Sequence, residues 1–203
     1  MSKIDQTLYS APITAEYWRQ ARASFRDLKG MVFAALMIAV CVVLNGFSIP
    51  ITDGLRISFG FLARAVCALV YGPIGAVVFA AAEDTLGFIL SSGGGPYFPG
   101  YMITTALGCL IYALFFYRAR ITVFRIFTAK AMTNLLNVLL GSLWSAILYS
   151  KGYWFYMTTS AVKNALLLIP QTIMLVVLFQ AMLPILHRIG MIPRQVEGTI
   201  KLI

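Results

Sequence analysis

Long apolar runs broken by short polar clusters set the pattern of this chain. Six runs stand out, at 31–50, 57–71, 73–92, 100–117, 122–148 and 159–186. A helix needs about 20 predominantly apolar residues to cross a bilayer, so the pattern predicts six transmembrane helices. Span two is short, and only Gly72-Pro73 separates it from span three. That dipeptide predicts a tight turn. The first 30 residues are polar and hold no apolar core of the kind a signal peptide needs. Trp18, Ala21, Phe25 and Leu28 fall at helical spacing among Arg19, Arg22 and Arg26. Residues 15–29 are therefore expected either to lie on the inner leaflet as an amphipathic helix or to be a plain basic flank.

Composition agrees with the bilayer as solvent. The chain has 203 residues, 60% of them hydrophobic and 11% charged, and its mean hydropathy is +0.85. Soluble domains run near 45–50% apolar and about 25% charged. The expected fold class is an all-α membrane protein. Its expected parts are an interfacial amphipathic segment at 1–30, a six-helix domain at 31–187 and a cytoplasmic tail at 188–203.

Charge placement orients the helices. Eleven of the 16 basic residues lie before span one, around the turn between spans four and five, or after span six. Basic residues collect on the cytoplasmic side, so both termini are expected there, with 51–56, 91–100 and 149–158 facing outward. The net charge of +9 then reflects topology and contact with anionic lipid, and no nucleic acid is expected. Cys41, Cys67 and Cys109 sit in apolar runs and His187 is the only histidine, so no metal or cofactor is expected. HExxH, GxSxG and Walker motifs are absent, which points away from an enzyme and assigns any ATP-driven work to another polypeptide.

Ionisable residues inside spans are functional candidates because each costs about 2.5–3.5 kcal/mol to insert. Arg64, Glu83, Asp84, Lys130 and Lys163 qualify; mutual pairing that holds the bundle is the competing reading. In span five Lys130, Asn134, Asn137, Gly141 and Trp144 are spaced to share one helical face. That face suits a flat heterocycle, or else interhelical bridging by the amides. Asn164 and Gln171 share a face of span six beside Pro170, a proline expected to kink the helix. Gly72, Ala76, Ala80 and Asp84 make a small-residue stripe, as do Ala35 and Ala39. The segment Ser91–Gly100, SSGGGPYFPG, combines three consecutive glycines with Tyr97 and Phe98, as a mobile lid over a binding site would.

Several of these segments occur together in one family. Leu55–Leu62 (LRISFGFL), Tyr71-Gly72-Pro73, Asp84–Gly87 (DTLG), Gly95–Gly100 (GPYFPG), Lys130 with Asn134 and Asn137, Trp144, and Lys163-Asn164 follow in order. The chain resembles the S components, the substrate-binding subunits, of energy-coupling factor transporters, and most of all their folate-specific branch. The resemblance implies a vitamin site near the outer face and an S component that topples in the membrane. It also implies a transmembrane coupling protein and two cytoplasmic ATPases as partners, with Ala35 and Ala39 facing the coupling protein. The expected location is the bacterial cell membrane, as a multi-pass protein.

With folate as ligand, Asn134, Asn137 and Asp84 are expected to satisfy the pterin and Tyr97 or Trp144 to stack on it, with Asn164 also expected at the substrate site. Arg56, Arg64 or Lys163 would meet the carboxylates, with the role of Arg64 left open. Three alternatives stand beside this reading. One is an S component for riboflavin or pantothenate. Another is a proton-coupled carrier relaying through Glu83, Asp84 and Lys130. The third is an assembly protein without a ligand.

Overall fold

The structure is a computed structural model, and it describes residues 8, 15–23, 28–52, 55–91, 97–149, 152–193 and 200–202. Helix α1 (Ala15–Ala23) precedes α2 (Leu28–Gly46). Strands β1 (Ile49–Thr52) and β2 (Leu55–Ile57) follow, then α3 (Phe61–Ser91) and α4 (Pro99–Phe116). Next come α5 (Val123–Leu136), a π-helical turn at Asn137–Gly141, α6 (Ser142–Leu148) and α7 (Tyr153–Arg188). The helical membrane architecture is as the apolar runs predict. The one addition is an antiparallel hairpin in the first outward loop, with Ile49 opposite Ile57, Pro50 opposite Arg56 and Thr52 opposite Leu55.

Among the described residues, five continuous helical stretches are long and apolar enough to cross a membrane, and they supply six crossings because α3 turns back on itself. Gly72 interrupts α3 with φ 71° and ψ −172°. Across that break, Arg64 Nε lies 3.0 Å from Glu83 Oε2. In a straight helix 19 residues cover about 28 Å, so the two arms of α3 pack side by side. The first arm, 61–71, is about 16 Å long at helical rise; β2 and residues 58–60 carry the chain outward from it.

Small side chains make this hairpin possible. Ala63, Ala65 and Ala68 on the first arm and Ala76 and Ala80 on the second are buried, letting neighbouring backbones approach closely. α3 packs most extensively on α4 and next on α2. The predicted Gly72–Ala76–Ala80 stripe is thus an interior seam. Ala35 and Ala39, by contrast, lie on the open face of α2. On the far side of α4, Phe116 meets Phe179 of α7 edge-on at 5.0 Å. Pro170 does not break α7, which runs unbroken through Pro170 and Pro184. With 36 residues it is about 54 Å long, more than the ~30 Å hydrocarbon core.

The basic end of the bundle is tied together. The Gly72 turn packs on the ring of Tyr117, and Tyr17 of α1 meets that ring edge-on at 5.2 Å. The Tyr17 hydroxyl donates to the Ala113 carbonyl at 3.2 Å, and burial raises its pKa, which keeps the proton in place for that bond. Tyr17 and Ala21 are the buried positions of α1, whereas Trp18 is exposed. The expected Trp18–Ala21 face is therefore rotated, because α1 packs on protein as well as facing the leaflet. Helix α1 and the start of α2 cover the described part of the expected 15–29 segment; residues 24–27, with Phe25 and Arg26, lie outside the described residues. The end of the chain joins the same cluster. Val123 and Phe124 donate their backbone N–H groups to the carbonyls of Lys201 and Leu202, and Ile200 is buried. The first turn of a helix has free N–H groups, and the segment at 200–202 satisfies two of them in α5.

A methyl at Gly72 would sit 2.9 Å from the Tyr117 ring at a positive φ. Gly72→Ala should destabilise the protein by about 2–4 kcal/mol, combining left-handed strain and overpacking. Thermal unfolding in detergent reads this directly, and a variant melting with the wild type would refute the hairpin turn.

Candidate functional site

The first cluster is built on the α3 hairpin. Glu83 is 1% exposed and accepts from both Arg64 Nε and Arg64 Nη2 at 3.0 Å. Asn45 of α2 adds a third donor at 3.2 Å. Ser58 donates to Asn45 Oδ1 at 2.7 Å, and the Gly60 N–H donates to Ser58 Oγ. This chain of bonds closes the hairpin and fixes the polypeptide entering it. The bidentate geometry of a guanidinium on a carboxylate is the strong form of an ion pair. Arg64 is thus occupied by Glu83, and the pairing reading of these charges holds for these two. Asp84, the next residue, is partly buried and accepts from Thr105 of α4 at 3.4 Å.

The second cluster joins α5 and α7. Asn134 donates to the backbone carbonyl of Asn164 at 3.1 Å. Asn164 in turn donates to Ser160 O at 2.9 Å and Ser160 Oγ at 3.1 Å. The Asn134 amide therefore bridges α5 and α7, while the Asn164 side chain bonds one turn back within α7. Asn137 differs, being exposed in a stripe where Lys130, Asn134 and Gly141 are buried. Among the described residues its amide has no hydrogen bond. An unbonded amide at membrane depth belongs on a water-accessible cavity, not on lipid. The continuous helical face predicted from Lys130 to Trp144 is interrupted by the π turn at Asn137–Gly141. Such turns insert an extra residue, and here the Asn137 side chain lies over Gly141, where a Cβ would meet its Oδ1 at 2.9 Å.

The third cluster is aromatic and joins the start of α4 to α6. Trp144 donates its indole N–H to Thr104 Oγ1 at 2.9 Å, and Phe98 meets its ring edge-on at 5.6 Å. Gly100 lies beneath both rings; a Cβ there would stand 2.3 Å from Phe98 and 2.7 Å from Trp144. Tyr101 bonds Ser145 at 3.2 Å. Tyr97 is exposed, leans on Phe88 at 5.1 Å and points its hydroxyl at Met102 Sδ at 3.3 Å. It stands apart from Trp144, which Phe98 accompanies instead. Residues 92–96 of the glycine-rich loop and the side chain of Arg56 lie outside the described residues.

Charge in the interior is unbalanced toward the positive. Arg64, Lys130 and Lys163 face two carboxylates, Glu83 and Asp84, and Lys130 is within electrostatic reach of both other cations. Lys163 is half-buried on α7 beside Asn164. Of the predicted residues, Asn134 and Asn164 meet directly, Trp144 lies on the aromatic wall and Arg64 is turned to Glu83. Asn45, Ser58, Thr104 and Thr105 went unremarked in the sequence. Asn45, a polar residue near the end of span one, was the one that could have been flagged.

Removing one member of the buried pair leaves the other uncompensated. Glu83→Ala should cost about 3–5 kcal/mol, and the double variant Arg64→Leu/Glu83→Leu should recover most of it. Melting temperatures of the two variants and the parent decide this; a double variant no more stable than Glu83→Ala would sink it.

Comparison with known proteins now adds to this geometry. Residues 29–189 match the family described as "ECF transporter, substrate-specific component". The chain is 33% identical over 138 residues to the folate transporter FolT of Clostridium novyi, covering 68% of this chain and 80% of that one. It is 27% identical over 148 residues to the folate transporter FolT of Leuconostoc mesenteroides, covering 70% and 79%. Among solved structures, FolT bound with folic acid superposes with a TM-score of 0.68 at 27% identity, covering 73% of this chain and 91% of that one. With most of its length matched and its helical fold shared, this multi-pass protein of the bacterial cell membrane belongs to the substrate-specific components of energy-coupling factor transporters.

Proposed function

We propose that this chain binds folate in the polar space between the aromatic wall and the α5–α7 amides, and delivers it inward as the S component of an ATP-driven transporter. The observation that carries the reading is the fold shared with FolT bound with folic acid over 91% of that chain. The chemistry here is compatible with it. Folate has a flat pterin that needs a ring face and amide-type partners, and an anionic glutamate that needs cations. Trp144 and Phe98 offer the rings, Asn137 an unbonded amide, and Asp84 a carboxylate beside Thr105. Asn134 shapes the wall by bonding the Asn164 carbonyl on α7, and Asn164 is held by Ser160 of its own helix. Lys163 and Arg56 are proposed for the carboxylates, and Tyr97 for the outer rim. Arg64 contributes by holding Glu83.

Transport then depends on a coupling protein and two ATPases, since the chain carries no nucleotide motif. Ala35 and Ala39, on the open face of α2, are proposed as the contact with the coupling protein, where small residues permit close helix approach. Residues 31–187 serve as the substrate domain, 1–30 as the inner-leaflet segment and 188–203 as the cytoplasmic end. The role is that of a transport subunit, with hydrolysis performed by the partners.

Titrating the purified protein with folate should quench tryptophan fluorescence saturably, while riboflavin and thiamine leave it unchanged. Trp144→Phe and Asn137→Ala should each weaken binding about tenfold, the equivalent of about 1.4 kcal/mol. Asn137 is the cleaner probe because its amide supports no other described residue. Unchanged affinity in both variants would remove the site from this face. In proteoliposomes holding the coupling protein and ATPases, folate uptake should require internal ATP. Uptake abolished by a proton ionophore with ATP intact would favour a proton-coupled carrier.

A further inference from the structure

Lys130 is 5% exposed in the middle of a protein whose solvent is lipid, and among the described residues no carboxylate pairs with it. The two oxygens of Glu83 are taken by Arg64 and Asn45, and Asp84 is bonded by Thr105. Among the described residues, the Lys130 ammonium has no hydrogen bond and no ion pair. It rests on the face of Phe61, whose ring centroid is 4.0 Å from Nζ. A cation over a desolvated ring is attracted to it, but a ring gives the three ammonium donors no oxygen. Its charged neighbours, Arg64 and Lys163, are both positive. A buried charge left this way is strongly unfavourable, and in membrane spans such residues mark substrate pathways.

Its position tells what would relieve it. One turn further along α5 is Asn134, which bonds α7, and one turn beyond that is Asn137, whose amide is open. Phe61 opens the first arm of α3, directly after the chain descends from the β1–β2 hairpin. The ammonium therefore lies at the inner end of the polar column whose open end is Asn137. We propose that Lys130 is the charge-selecting floor of the ligand site and meets a carboxylate of the bound molecule. A carboxylate supplies the oxygens that Phe61 lacks and brings the cation excess of the interior closer to neutral. A vitamin without an anionic group leaves Lys130 uncompensated, so the same residue that accepts one ligand class rejects the other. This inference rests on the folate reading and assigns its selectivity to one side chain.

The test uses the full-length protein in detergent with two probes, folate and its α,γ-diamide, in which both glutamate carboxylates are neutral. Wild type should bind folate at least tenfold more tightly than the diamide. Lys130→Met should bind folate at least tenfold more weakly than wild type and show no preference between the probes, while Lys130→Arg keeps the preference. Unliganded Lys130→Met should also melt higher than unliganded wild type, because a buried uncompensated charge has been removed, and folate should raise its melting temperature less. Loss of function through misfolding would lower that temperature instead. A folded Lys130→Met that retains the wild-type preference overturns this proposal alone. A folded wild type that binds neither probe overturns the folate reading and this proposal with it.

Discussion

A carboxylate buried inside a membrane bundle must be neutralised or paired, and the pairing of Glu83 with Arg64 organises everything around it. The two residues lie on opposite arms of α3 and meet only because Gly72 turns the helix back. Glycine is suited to that position because the backbone there is left-handed and the Tyr117 ring leaves no room for a Cβ. Once the arms are side by side, their alanines form the seam on which α4 packs, and Asn45 ties α2 to the same carboxylate. The ion pair stabilises by avoiding an unpaired buried charge more than by adding attraction of its own, since desolvation offsets much of the Coulomb energy.

The candidate site lies where this hairpin faces α4, α5 and α7. Its elements are held from outside the cavity. Thr104 fixes the Trp144 indole, Gly100 lets Phe98 approach it, and Asn164 fixes Asn134. With these groups committed to structure, the proposed ligand contacts that remain are the amide of Asn137, the ring faces, Asp84 and Lys130. In the proposed site, that division sets the geometry before a ligand arrives, lowering the ordering cost of binding. The opposite end of the bundle is held by α1, the Gly72 turn and residues 200–202.

Much of the fold was legible along the chain, and particular residues show where legibility stopped. Gly72-Pro73 announced its turn, and the structure adds that the break lies within what is otherwise one long helix. Asp53-Gly54 between two apolar segments carried a hairpin signal, yet the apolar pattern on either side read simply as span ends. The stripe from Lys130 to Trp144 was visible by spacing, but periodicity assumes a uniform helix and could not register the π turn at Asn137–Gly141. Trp18 and Ala21 looked like one buried face because an amphipathic pattern reports polarity, not which neighbour is present; Tyr17 is buried because Tyr117 and Ala113 meet it.

The sequence by itself determined that this is a six-crossing membrane protein with its basic flanks on one side. Bilayer thickness and the sidedness of basic residues act on local runs of residues, and local runs can be read in order. Only the tertiary structure decided which polar groups hold the bundle and which remain for a ligand. Arg64 finds Glu83 at a separation of 19 residues, Asn45 finds the same carboxylate at 38, and Trp144 finds Thr104 at 40. Each interior group satisfies the cost of its burial with whatever partner the packing brings within about 3 Å. Composition shows that such a cost exists, but only the packed helices show how it is met and, at Lys130, that it is left partly unmet.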